Sequence, residues 1–123
     1  MLSSNLPKGS HRRVFTRAIE LINEHPSEAL TVQDLSEAVH VSERTLRRLF
    51  ERESGMSPKK YLLSHRLHGV HRQLRQSSPS EHRVSDVANA WGFWHMGQFA
   101  KNYRFFFGEL PSVTLKKQPG SCD

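Results

Sequence analysis

The stretch TVQDLSEAVHVSERTLRRLFERESGMSP (residues 31–58) decides the fold, because RVSDVANAWGFWHMGQFAKNYRFFFGELP (residues 83–111) repeats its plan. In the first, Val32, Asp34, Leu35 and Val41 precede Leu46, Phe50, Gly55 and Pro58. In the second, Val84, Asp86, Val87 and Phe93 precede Phe99, Tyr103, Gly108 and Pro111. Val32 to Val84 and Val41 to Phe93 are each 52 residues apart, whereas Leu46 to Phe99 and Pro58 to Pro111 are each 53 apart. One residue has therefore been added in the connection within the second unit. Each unit reads as a short helix, a tight turn and a longer helix closed by Gly, the layout of a helix-turn-helix. Two such units in one small basic chain point to a protein that reads DNA with two helices.

The flanking signals extend this plan. Val14, Ala18, Ile19, Leu21 and Ile22 fall at helical spacing, and Pro26 ends that helix. Thr31 is placed to cap a helix over residues 32–39, with Asp34 in the capping-box position. The chain turns at His40-Val41, and Ser42 opens a second helix that runs to Ser54, with Gly55 as its stop. Ser57-Pro58 starts a long helix carrying Tyr61, Leu62, Leu67, Val70 and Leu74, to about Arg75. Residues 76–81 form an internal linker. Helices are predicted over 84–91, from about His95 to Phe107, and from near Pro111. No stretch alternates at period two, so the fold class is all-α. The organisation expected is a loose terminus over 1–10 and one domain over 11–117. Within that domain lie helix-turn-helix units at about 31–55 and 83–108 and a linker helix at about 57–76. A tail over 118–123 follows.

Composition bounds the partners. With 123 residues, one domain can bury a modest core without disulfides. Lys plus Arg number 18 against 12 Asp plus Glu, a formal charge of +6 and a pI near 10.0. That balance suits a polyanion, nucleic acid first and an anionic membrane surface second. Cys122 stands alone, so there is no disulfide framework, which favours a reducing cytoplasm. No apolar run approaches a membrane span, and Met1–Ser10 lacks the apolar stretch of a secretory signal.

The two longer helices differ in their outward faces. In the first, Leu46, Leu49 and Phe50 share the core face, and Arg44, Arg47 and Arg48 share another at the same i, i+3, i+4 spacing. Three like charges so close repel, and an anionic partner relieves that. An Arg fork can bond guanine O6 and N7 in the major groove. The alternative is a solvated face partly paired with Glu43, Glu51 and Glu53. In the second helix, Phe99 and Tyr103 take the core positions and His95, Met96, Gln98 and Lys101 lie outward, with Arg104 further on. Gln suits adenine, Lys suits guanine, and Met96 or Ala100 can pack on a thymine methyl. With fewer charges, this face should read more weakly or tolerate A·T pairs. Gly97 costs about 1 kcal/mol against Ala in a helix; it allows close approach to the DNA backbone or relieves crowding beside Trp94. The aromatics of the second unit are core residues before they are a stacking platform. Phe105–Phe107 cannot share one buried face, so one of them packs against the segment 111–115 or against a partner.

These residues resemble the C-terminal DNA-binding domain of the AraC/XylS family of bacterial transcription regulators. The matching stretches are LTVQDLSEAVHVSERTLRRLFERESGMSPKKYLLSHRL (30–67) and VSDVANAWGFWHMGQFAKNYRFFFGELPSVTL (84–115). The most specific part is a Gly-Phe turn, a Phe and a Tyr four apart, then Phe-Gly and Pro-Ser. The resemblance implies seven helices, two helix-turn-helix units joined by the long helix, and reading helices in successive major grooves about 34 Å apart. It places base reading on Arg44, Arg47 and Arg48 and on Met96, Gln98 and Lys101. Backbone or supporting contacts are expected from Ser42, Thr45, Ser57, His95, Gly97, Ala100 and Arg104. It further implies double-stranded DNA as partner, activation by recruiting RNA polymerase, and an effector or dimerisation domain upstream in a longer chain. Two departures stand out: His40 where the family usually has Gly, and Gly69 inside the linker helix, which suggests a softer connection.

Other functions find less support. His65, His68 and His71 drift around the linker helix, and neither Cys nor carboxylate completes a metal site, so no metal and no cofactor is expected. Their imidazoles could instead lend pH-dependent charge against phosphates. No nucleophile elbow, metal motif or phosphate loop argues for an enzyme. A protein–protein adaptor, or a basic module binding nucleic acid without sequence preference, remains the competing class. Salt separates them, since phosphate contacts weaken steeply as salt rises.

Overall fold

The caps and turns written in the sequence become helices in the computed structural model, which describes residues 8–24 and 30–117. The order is α1 (Lys8–Glu24), α2 (Val32–Ala38), α3 (Glu43–Ser54), α4 (Pro58–Arg75), α5 (Val84–Ala90), α6 (Met96–Phe107) and α7 (Pro111–Lys116), seven helices and no strand among the described residues. None of these helices is long and apolar enough to cross a membrane. Pro26, Cys122 and the expected tail lie outside the described residues. α1 begins at Lys8, inside the stretch expected to be a loose terminus. Once the packed part of a helix exists, each added residue contributes a hydrogen bond without a new nucleation cost, which offsets the penalty of Gly9.

The chain divides into two compact units, the first reaching Leu63 and the second starting at Ser64, so that α4 contributes residues to both. In the first unit, Ala18 and Ile22 of α1, Leu35 of α2, Leu46 and Phe50 of α3 and Leu62 of α4 form the buried core with Val39 and Val41. Phe50 sits at its centre, edge-on to Phe15 at 5.0 Å and to Tyr61 at 5.4 Å. In the second unit, Leu67, Val70 and Leu74 of α4 are buried, as are Val87, Ala88 and Trp91, Phe99 and Tyr103, and Leu115.

Gly69 has a specific reason to be there. A Cβ at this position would lie 2.4 Å from two carbons of the Trp91 ring. The indole packs directly on the α4 backbone and donates from Nε1 to Gln73 Oε1 at 2.8 Å. Close packing therefore replaces the expected softening of the helix as the role of this glycine. Further along the unit, the Tyr103 hydroxyl donates to Thr114 Oγ1 at 2.8 Å. Thr114 in turn donates to Glu109, and Lys117 Nζ pairs with Glu109 at 2.7 Å. This chain fastens α7 to α6.

Candidate nucleic-acid interface

Both helix-turn-helix turns use the same backbone device. Val41 N–H bonds to the Ser36 carbonyl at 3.1 Å, and Phe93 N–H bonds to the Ala88 carbonyl at 3.0 Å. His40 (φ 59°) and Gly92 (φ 87°) occupy the left-handed position of each turn. His is among the side chains that tolerate it. Gly55 (φ 78°) and Gly108 (φ 75°) end α3 and α6 in the same conformation, at which a Cβ is strained.

The starts of α3 and α6 differ. Thr31 and Asp34 complete a reciprocal capping box on α2. Ser42 caps α3: its Oγ accepts from Thr45 N–H at 3.0 Å and donates to Thr45 Oγ1 at 3.0 Å. Thr45, expected among the supporting contacts, is only 5% exposed; it holds the cap from inside. Ser57 Oγ accepts from Lys60 N–H at 3.2 Å at the start of α4. His95 precedes α6 but makes no side-chain cap.

The inserted residue can now be placed. Val39 and Trp91 end α2 and α5, Val41 and Phe93 follow in register, and Ser42 and His95 stand in equivalent positions ahead of α3 and α6. The residue without a counterpart is Trp94, which is 70% exposed. The switch from a 52-residue to a 53-residue offset confines the insertion to the connection, but not to this residue.

The outward face of α3 presents Arg44, Arg47 and Arg48, all exposed, while Leu46, Leu49 and Phe50 are buried. None of the three arginines has an ion-pair partner among the described residues. The acidic residue Glu53 instead meets Arg52, at 3.6 Å. The partial pairing of these arginines with Glu43, Glu51 and Glu53 is not formed among the described residues. Cationic forks on an exposed helix face are suited to guanine edges and phosphates.

On α6, Phe99 and Tyr103 are buried as expected, with Gln98, Lys101 and Arg104 exposed and Met96 and Ala100 half-buried. Gln98 Nε2 donates to Asn102 Oδ1 at 3.2 Å. A Cβ on Gly97 would meet nothing within 4 Å, so relief of crowding beside Trp94 is not its role. The three phenylalanines separate. Phe107 stacks on His71 at 4.2 Å and packs against Tyr103 at 4.7 Å, Phe106 is half-buried, and Phe105 is 82% exposed. Phe105 lies four residues after Lys101 and seven after Gln98, on their stripe of the helix. Sequence reasoning passed over Trp94 and Phe105 as surface residues because aromatic content is normally core.

The histidines do not assemble into a metal cluster among the described residues. His65 Nε2 is buried without a partner, and burial, with Arg72 nearby, holds its pKa below the ordinary imidazole value.

A helix-turn-helix domain family matches residues 35–117. An XylDLEGF operon transcriptional activator of Pseudomonas putida is 34% identical over 121 residues, which is 96% of this chain. The chain spans 37% of the length of that relative. Among solved structures, a transcriptional regulator with an AraC-type DNA-binding domain from Chromobacterium violaceum is 30% identical with a TM-score of 0.77. The match covers 88% of this chain and 94% of that one. The DNA-binding domain of the global transcriptional factor AdpA, solved with a target DNA, is 25% identical with a TM-score of 0.71, covering 80% and 86%. The chain belongs to the AraC/XylS family of helix-turn-helix domains.

Proposed function

We propose that this chain binds specific double-stranded DNA sequences as the DNA-binding part of a bacterial transcription regulator, reading one segment with α3 and another with α6. The observation that carries this is the exposed triad Arg44, Arg47 and Arg48, without ion pairs among the described residues and held on a helix-turn-helix by a buried opposite face. These three read bases from α3, and Met96, Gln98 and Lys101 read from α6. Ser42, Ser57, His95, Gly97, Ala100 and Arg104 meet or admit the sugar-phosphate backbone, and Thr45 holds Ser42 in place. The similarity to operon activators supports activation, with RNA polymerase and a signal-receiving or dimerisation domain as further partners, in the bacterial cytoplasm.

Selection from a random duplex library with this chain, followed by sequencing of the bound fraction, should enrich two short motifs about 10 bp apart. Arg48→Ala should weaken binding to the selected duplex by about 1–3 kcal/mol and relax base choice in one motif. Unchanged affinities of that variant for the selected and a scrambled duplex would remove α3 as a reader. Binding to a protein surface instead would survive high salt, which phosphate-based binding does not.

A further inference from the structure

We propose that α6 reads thymine methyl groups through an apolar surface, with Trp94 as the specificity-determining residue; this rests on the DNA-binding function proposed above. Trp94 is the one residue that the second helix-turn-helix has and the first lacks, and its indole is 70% exposed. It stands directly before His95, the residue preceding α6, and two residues before the first helical residue Met96. The backbone leading into it is anchored at the preceding residue. The neighbouring Phe93 packs its ring on Phe99 at 4.9 Å, and Phe93 N–H is bonded to the Ala88 carbonyl.

In a helix-turn-helix, the N-terminal residues of the reading helix meet the base edges. At that place α3 presents Arg44 within its first turn, whereas α6 carries no charged side chain before Lys101. Met96, Gly97 and Ala100 share this stretch, and Gly97 leaves open space at its surface. Gln98 is the one polar side chain in this stretch, with its amide donating to Asn102 Oδ1 at 3.2 Å, and no cation stands there to meet a guanine edge. The one apolar group the major groove presents is the C5-methyl of thymine. An exposed indole next to that surface can cover such a methyl group and exclude water from it.

The test uses the full chain and the duplex enriched by selection, with thymidines replaced by deoxyuridine in one motif at a time, which removes only the C5-methyl. Substitution in one motif should weaken wild-type binding roughly tenfold, in the range of a lost base contact. Substitution in the other should change it little. Trp94→Ala should bind the thymidine and deoxyuridine forms of the sensitive motif equally, with an unchanged helical circular-dichroism spectrum, and Trp94→Phe should restore part of the discrimination. Indifference to deoxyuridine in both motifs, a second motif without thymine, or full discrimination retained by Trp94→Ala would each overturn the proposal. If the wild-type chain enriches no motif, base reading fails for both helices and this inference falls with it. If Arg48→Ala relaxes one motif while deoxyuridine has no effect anywhere, only the thymine reading is lost.

Discussion

Two glycines in helices of the second unit, Gly69 and Gly97, should answer alanine substitution with opposite signs. In a helix interior, alanine is favoured over glycine by about 1 kcal/mol. At Gly97 a Cβ meets nothing within 4 Å, so Gly97→Ala should gain up to about 1 kcal/mol, less for a position so near the helix start. At Gly69 the same atom would lie 2.4 Å from two carbons of the Trp91 ring and 2.7 Å from a third. Carbon atoms prefer roughly 3.5–4.0 Å, so the ring would have to retreat by about 1 Å or more. It cannot do so freely, being buried and tied to Gln73 at 2.8 Å. Overpacking of this kind costs about 1–3 kcal/mol, and loss of the Trp91–Gln73 hydrogen bond adds about 1. After the propensity gain, Gly69→Ala should be destabilised by about 1–3 kcal/mol, read as a lower midpoint in urea at unchanged slope. In a Trp91→Leu background the substitution should turn neutral or stabilising, because the clashing ring is gone. A Gly69→Ala protein as stable as wild type, or one whose loss persists without the indole, would refute the close-packing argument.

Thr114→Val should cost more than Tyr103→Phe when both are compared by thermal melting. The first strands a fully buried tyrosine hydroxyl, at about 1–3 kcal/mol, while the second leaves Thr114 still bonded to Glu109, at about 0.5–1.5 kcal/mol. Equal losses would mean that the Tyr103–Thr114–Glu109 chain does not act as drawn. Stability should also fall as pH drops below about 6.5, the ordinary imidazole value. His65 and His71 are held below it, chiefly by burial and then by neighbouring arginines, so the unfolded chain binds more protons in that window. The contribution is complete above that value and is lost on descending through it towards the folded values. Glu109 is separable, because its carboxyl is lowered by its bonds to Lys117 and Thr114 and is affected only below its ordinary 4.5. Melting temperatures at pH 7.5 and 5.5 should therefore differ, and replacing both histidines with leucine should flatten that difference.

Features encoded within four or five residues were legible in the sequence. The Thr31–Asp34 box, the Ser42 and Ser57 caps, the left-handed turn at His40 and the glycine stops at 55 and 108 all depend on backbone groups a few positions away. The core faces of α3 and α6 were equally readable, since helical periodicity fixes which residues lie together. What escaped was set by distance along the chain. Gly69 suggests flexibility until Trp91, 22 residues later, is seen to lie against it. Helical spacing puts Phe107 four residues after the buried Tyr103 and Phe105 four after the exposed Lys101, but the stacking of His71 on Phe107 depends on a residue 36 positions earlier. Thr45, given a supporting contact by the family resemblance, is buried although it follows the exposed Arg44, because one residue is about 100° of helix turn, enough to move from surface to core.

The two units solve the same folding problem and differ where folding exerts no constraint. Leu46 and Phe50, like Phe99 and Tyr103, are large buried side chains that hold α3 and α6 in their cores. The outward positions have no such duty, and both units use them in ways that cost the free protein, by charge repulsion in one and apolar exposure in the other. α3 gathers three arginines at i, i+3 and i+4, which repel one another in the free protein. The second unit leaves an indole in solvent immediately ahead of α6. Anionic partners relieve the first arrangement, and salt weakens that relief because mobile ions screen the charges. Apolar contact relieves the second, and moderate salt barely alters it. If both helices engage one DNA molecule as proposed, their contributions should differ in salt dependence. On the proposed reading, Arg44→Ala should lower the slope of log affinity against log salt, while Trp94→Ala should leave that slope unchanged and lower affinity by a similar factor at each salt concentration.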